Sequence, residues 1–215
     1  MPKNARTPLS PALICQTALE LIQQGGLEQL SMRSLAGALK VDPMAIYHHI
    51  PNKGALLHAV HNTVLGELFE EEIPPGAWQD QLKQLARRYR TVALRHPQVF
   101  PSLIASGETT ANEHRALALM LSYLLNAGLE PQATIQAGDT LFAFVTGFAL
   151  VETTHLQHPL MDSALAQQMS APQTSSHTLE LIEQLPGHPF SESFEFGLQI
   201  ILSGIEAAVT PKLEY

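Results

Sequence analysis

Apolar positions recur at three- and four-residue spacing along nearly the whole chain, and no stretch alternates apolar with polar as a strand does. From Pro11 to Gln24 the pattern is Leu13, Ile14, Ala18, Leu21 and Ile22. Ser10 suits the N-cap, Pro11 the first helical position, and Gly25-Gly26 the stop. A short second helix is predicted behind Ser31, with Met32, Leu35, Ala36 and Leu39 on its buried face. The turn Lys40-Val41-Asp42 leads to a third helix, Pro43–His49, which ends before Pro51. Asn52 then caps a long fourth helix running from Lys53 to about Glu71. Further helices are expected at Trp78–Leu94, Val99–Ser106, Thr110–Ala127, Gln132–Gln157 and Phe190–Val209. Between His158 and Pro189 the chain is rich in Pro, Ser, Gln and His, and reads as a loop with one weak helix near 178–185. The fold class is therefore all-α. A helix-turn-helix head occupies 1–53 with a connecting helix over 53–71, and a larger body covers 72–215.

Length and charge narrow the function. With 215 residues, 45% of them hydrophobic, the chain can bury a core. Its net charge of −8 excludes a uniformly basic coat. Yet residues 1–60 carry Lys3, Arg6, Arg33, Lys40 and Lys53 against Glu20, Glu28 and Asp42, so a mildly basic head precedes an acidic body. One cysteine, Cys15, leaves no disulfide framework and no Cys-based zinc site. The uninterrupted apolar runs, Ala116–Leu121 and Leu141–Val151, are too short to span a bilayer. No signal-peptide core is evident, and the expected location is the cytoplasm.

The informative segment is Ser31–Lys53. Burial of Leu35, Ala36, Leu39, Val41 and Ile46 would hold two short helices at a fixed angle, leaving one face of the third free for a DNA major groove. Arg33 is placed to reach a phosphate or a guanine edge. Met44 and Ala45 suit a thymine methyl, while Tyr47, His48, His49 and Lys53 lie towards the backbone. The spacing of Arg33, Leu35-Ala36, Leu39, Val41, Ile46-Tyr47, His49-Ile50, Asn52-Lys53 and Leu56-Leu57 resembles the DNA-binding domain of TetR-type transcriptional regulators, the tetracycline-repressor branch in particular. Trp78-Gln79-Asp80, Arg90 and His96 resemble that branch more loosely.

The resemblance implies a homodimer on a palindromic operator, with a C-terminal domain that dimerises and holds an effector. It implies DNA contacts by Arg33, Pro43, Met44, Ala45, Tyr47, His48, His49 and Lys53. Aligned through Trp78 and His96, Leu85, Leu103 and Ala143 stand where the tetracycline repressors carry polar drug- and metal-binding side chains, and Tyr89 keeps an aromatic position. The pocket expected from Leu85, Tyr89, Leu103, Phe142 and Ala143 thus suits a small, largely apolar molecule rather than a drug–magnesium chelate. No cofactor, catalytic residue or metal ligand is assigned. His48 and His49 are adjacent and point about 100° apart on a helix. The remaining histidines read as surface or capping groups, and Cys15 as a small core residue.

The last helix carries Phe194, Leu198, Ile201, Leu202 and Ile205, with Gly197 and Gly204 allowing close approach. These are expected at the interface between two copies. An enzyme would need convergent acid and base groups, and only Glu113-His114 and Glu152/His155 are near one another in sequence. A regulator without any effector is the other alternative.

Overall fold

The structure, a computed structural model, describes residues 8–157 and 189–209. Among these residues there are nine α-helices and no strand. They are α1 (Pro11–Gly25), α2 (Met32–Leu39), α3 (Pro43–Tyr47), α4 (Lys53–Gly66), α5 (Trp78–Arg95), α6 (Phe100–Ala105), α7 (Ala111–Asn126), α8 (Pro131–Gln157) and α9 (Phe190–Ala208). Apart from Pro189, the expected loop over 158–189 and its helix near 178–185 lie outside the described residues.

The helix starts follow local chemistry. The Leu13 N–H donates to Ser10 Oγ, the Met44 N–H to Asp42 Oδ1 and the Ala55 N–H to Asn52 Oδ1. Each satisfies one of the donors that a first helical turn leaves unpaired. Ser31 and Ser34 form a reciprocal capping box on α2. Gly26, at φ +76°, ends α1 in a conformation that strains any residue with a Cβ. Two ends differ from expectation. α3 stops at Tyr47, and α4 gives way after Gly66 to a 3₁₀ turn over Glu67–Phe69, because tighter i→i+3 bonding takes over at the helix end.

Lys40 closes α2 at φ +56°, the left-handed region, and is the single non-glycine residue with positive φ among those described. Lys40→Gly is expected to raise head stability by about 0.5–1 kcal/mol, measured as a higher urea midpoint. An unchanged midpoint would show that the lysine side chain offsets the strain.

The chain divides into two compact units, residues 1–72 with 98–116, and residues 73–97 with 117–215. The break near residue 72 falls where Ile73-Pro74-Pro75-Gly76 marks a boundary in sequence. The grouping of residues 98–116 with the head has no counterpart in the division expected at 53 and 72. In the first unit α1 packs on α2 and α4, burying Ile14, Ala18, Ile22, Leu35, Ile46, Leu56 and Val60. Cys15 is buried there, and burial pushes its thiol pKa up.

In the second unit α8 packs on α5 and α9 around Leu82, Leu85, Met120, Leu124, Leu141, Val145, Phe194, Leu198 and Leu202. By length and composition alone α8 could cross a bilayer, which corrects the estimate from uninterrupted runs. Its Glu152 is nonetheless ion-paired to Arg90 of α5 within this unit.

Candidate nucleic-acid interface

α3 is anchored through one side and open on the other. Ile46 and the following Ile50 are buried, while Met44 is 63% and Tyr47 41% exposed. His48 and His49 are exposed, and Pro43 and Ala45 are half-buried. Apolar side chains left in water at a helix start are poorly placed for stability alone and well placed for a groove. Arg33, in the first turn of α2, and Lys53, opening α4, are both exposed. The six exposed residues among the eight expected to face DNA therefore lie on α2, on α3 and its end, and on the start of α4. Asn52, capping α4, leaves further first-turn N–H groups of that helix for a phosphate oxygen.

Four of the five expected pocket residues, Leu85, Tyr89, Phe142 and Ala143, lie in the second unit. Leu85 is buried in the core. Tyr89 meets Phe142 edge-on at 6.5 Å between ring centroids, and the Thr146 hydroxyl lies 3.4 Å from the Tyr89 hydroxyl. Phe142 and Ala143 are exposed on α8. Leu103 is buried in the first unit, on α6. Leu85 belongs to the core cluster against which Tyr89 packs, and Tyr89 and Phe142 meet ring to ring.

Four of the five residues expected at the interface between copies need a correction. Phe194, Leu198, Leu202 and Ile205 are buried within their own chain, and Ile201 is half-buried. A side chain already enclosed by its own chain has no area left to bury against a partner. Gly197 serves the same intrachain packing, since a Cβ there would come within 2.6 Å of the Phe144 ring. α9 instead exposes Phe196 (70%) and Ile200 (56%), four residues apart on one stripe.

Two features were not foreseen. The first is an aromatic cluster: Phe144 stacks on Phe194 at 5.7 Å, and Phe148 meets Phe190 and Phe194 edge-on. The i, i+4 spacing of 144/148 and 190/194 is its only trace in sequence. The second is a paired charge. Arg90 Nε and Nη2 donate to the two Glu152 oxygens at 2.6 Å, and the guanidinium lies 5.2 Å from the Phe194 centroid. Glu152 is therefore held by an arginine rather than poised beside His155, whose ring packs on Phe190.

The histidines are also corrected in part. His61 is buried, its ring 3.0 Å from Ser102 Oγ. Burial, with help from His58 and against Glu108, pushes its pKa down to about 4, so it is neutral near pH 7. His96 is buried at the end of α5.

Residues 14–60 match the family described as bacterial regulatory proteins, tetR family, and residues 72–209 match the tetracyclin repressor-like C-terminal domain. The chain belongs to the TetR family.

Similar TetR-family proteins span its length. An HTH-type transcriptional regulator of Saccharopolyspora erythraea is 27% identical over 95% of this chain and 89% of its own. The class G tetracycline repressor of Vibrio anguillarum is 26% identical over 93% and 95%. Among solved structures, ActR of Streptomyces coelicolor in complex with actinorhodin superposes with a TM-score of 0.80, at 30% identity over 94% of this chain and 99% of that one. Regulators of this family act as dimers on operator DNA. This TetR-family chain is accordingly a DNA-binding transcriptional regulator.

Proposed function

We propose that this TetR-family chain is a cytoplasmic repressor that sits as a homodimer on a palindromic operator and is released by a small, largely apolar effector. The observation that carries the reading is α3 and the two residues after it, anchored through the buried Ile46 and exposing Met44, Tyr47, His48 and His49 together. Met44 and Ala45 would touch base edges, with Pro43 setting the helix start. Arg33 would reach a guanine or phosphate, and Tyr47, His48, His49 and Lys53 would position the head on the backbone. With little polar equipment on α3, specificity would rest on Arg33, apolar contacts and DNA shape. Dimerisation would use the Phe196/Ile200 stripe of α9, placing two recognition helices one turn of DNA, ~34–36 Å, apart.

The effector would meet Tyr89, Phe142 and Leu85 in the body. Ring against ring suits an aromatic molecule, and a similar protein, ActR, was solved with the small molecule actinorhodin bound. Occupancy lowers operator affinity to the extent that the effector binds the non-DNA-binding arrangement more tightly.

The experiment is selection from a pool of random duplexes at two salt concentrations. A palindromic consensus with steeply salt-dependent affinity is expected. On that duplex, Lys53→Ala should lower the slope of log K against log salt by about one and weaken all sequences alike. Arg33→Ala should also relax the preference at one base position. Equal, sequence-blind losses for both would make Arg33 a phosphate contact only, and recovery of no consensus would overturn the reading.

A further inference from the structure

Within the first unit, α4 is held to residues 98–116 by directional contacts. At one point two hydrogen bonds close a ring. The Asn112 backbone N–H donates to Asn62 Oδ1 at 2.9 Å, and the Asn112 side-chain amide donates to the Asn62 carbonyl at 2.7 Å. Gly66, one turn on, allows this approach, since a Cβ there would lie 3.2 Å from Asn112 Nδ2. Thr110 and Glu113 hold the start of α7 through a reciprocal pair, the Glu113 N–H donating to Thr110 Oγ1 and the Thr110 N–H to Glu113 Oε2.

On either side lie two further contacts. Ser102 donates its hydroxyl proton to the Val99 carbonyl at 2.7 Å, so the neutral His61 ring serves as donor to Ser102 Oγ. The Arg115 guanidinium lies 4.0 Å from the Phe69 centroid. Residues 61, 62, 66 and 69 form one stripe along α4 and its 3₁₀ extension. Apolar packing tolerates sliding. A slip along this stripe would instead leave Asn62 Oδ1, the Asn112 amide and the His61 ring without partners, each at a desolvation cost.

We propose that Asn62 and Asn112 are positioning residues for operator reading. Their paired bonds make residues 98–116 part of the body that carries the recognition helix, although none of these residues is near the base-reading stretch in sequence. α4 packs on α1, α1 on α2 and α2 on α3, so a fixed α4 fixes the presentation of α3 through that packing. This inference rests on the repressor reading.

The test uses full-length dimers on the palindromic duplex that the wild type recovers. Asn62→Ala and Asn112→Ala are each expected to weaken binding about five- to tenfold. The salt slope should stay unchanged, because no phosphate contact is lost. The double variant should be little worse than either single one, since both remove the same ring of bonds. Asn62→Asp, which keeps an acceptor for the Asn112 N–H, should bind within about twofold of wild type. Ser102→Ala and Arg115→Ala, at the flanking contacts, should each cost about two- to fourfold, and they carry the test if the alanine variants at 62 and 112 do not fold.

Folded variants with wild-type affinity, differing only in melting temperature, would overturn the positioning role and leave a purely structural one. A salt slope reduced by one would replace it with a direct DNA contact. A wild type that recovers no palindrome would overturn the repressor reading and this inference together, whereas wild-type binding with indifferent variants overturns this inference alone.

Discussion

Replacing Phe196 and Ile200 together by aspartate is expected to convert the protein from dimer to monomer at micromolar concentration while leaving its helix content intact. Both side chains are more than half exposed in the single chain, so the substitution removes nothing from the core. In a two-fold interface every change counts twice. Burial of exposed apolar area amounts to about 1 kcal/mol or more for each of the four side chains. Their loss alone weakens association by about a thousandfold, and carboxylates forced into an apolar contact add to it. Operator affinity should fall by at least about a hundredfold, because one head alone contacts half a palindrome. Sedimentation velocity and operator titration measure the two effects. A double variant that stays dimeric would move the interface to another surface of α8 and α9. Leu198→Asp is the contrasting control: it places a charge in the chain's own core and should unfold the second unit rather than release a folded monomer.

Arg90→Ala should destabilise the second unit by about 3–5 kcal/mol, since it strands the Glu152 carboxylate in a buried site without its partner. Glu152 is only 7% exposed and its two oxygens both take bonds from Arg90. The arginine also loses its place over Phe194, so part of the effect is packing. For a chain of this size the shift is about 10 °C in melting temperature. Arg90→Met with Glu152→Leu should recover most of the loss, because a buried ion pair contributes little against apolar groups of similar volume. Denaturant melts of the two single variants and the double one decide it. A loss under about 1 kcal/mol for Arg90→Ala would mean that water reaches Glu152 and screens it. The exposed pair Arg87–Glu195 offers the comparison: its geometry is equally bidentate, yet solvent screening should leave it worth about 1 kcal/mol or less.

Local chemistry explains why the head was so legible. Ser10, Ser31, Asp42 and Asn52 each cap a helix by reaching two or three residues forward. Such contacts depend on nothing distant, so residue type and spacing suffice to locate them. In a helix of five residues such as α3, burying Ile46 leaves few positions for any other face. The exposed face was therefore determined along with the buried one. Even there, the strain at Lys40 could not be read, since nothing in the residue type announces a positive φ.

The body was different. α8 and α9 are apolar around much of their circumference, so periodicity located the helices without saying which side turns inward. Tertiary packing decided that Phe194, Leu198 and Leu202 go to the core and that Phe196 and Ile200 do not. It also decided the polar pairings. Arg90 with Glu152, Asn62 with Asn112 and His61 with Ser102 are 62, 50 and 41 residues apart, and a single sequence holds no signal at such separations. The sequence by itself determined the helices, their caps and the DNA-reading motif, because these follow from interactions within a turn or two of the chain. The inward faces of α8 and α9, the burial of His61 and Glu152, and the attachment of residues 98–116 to the head arise from contacts between distant segments, and only the folded chain brings those segments together.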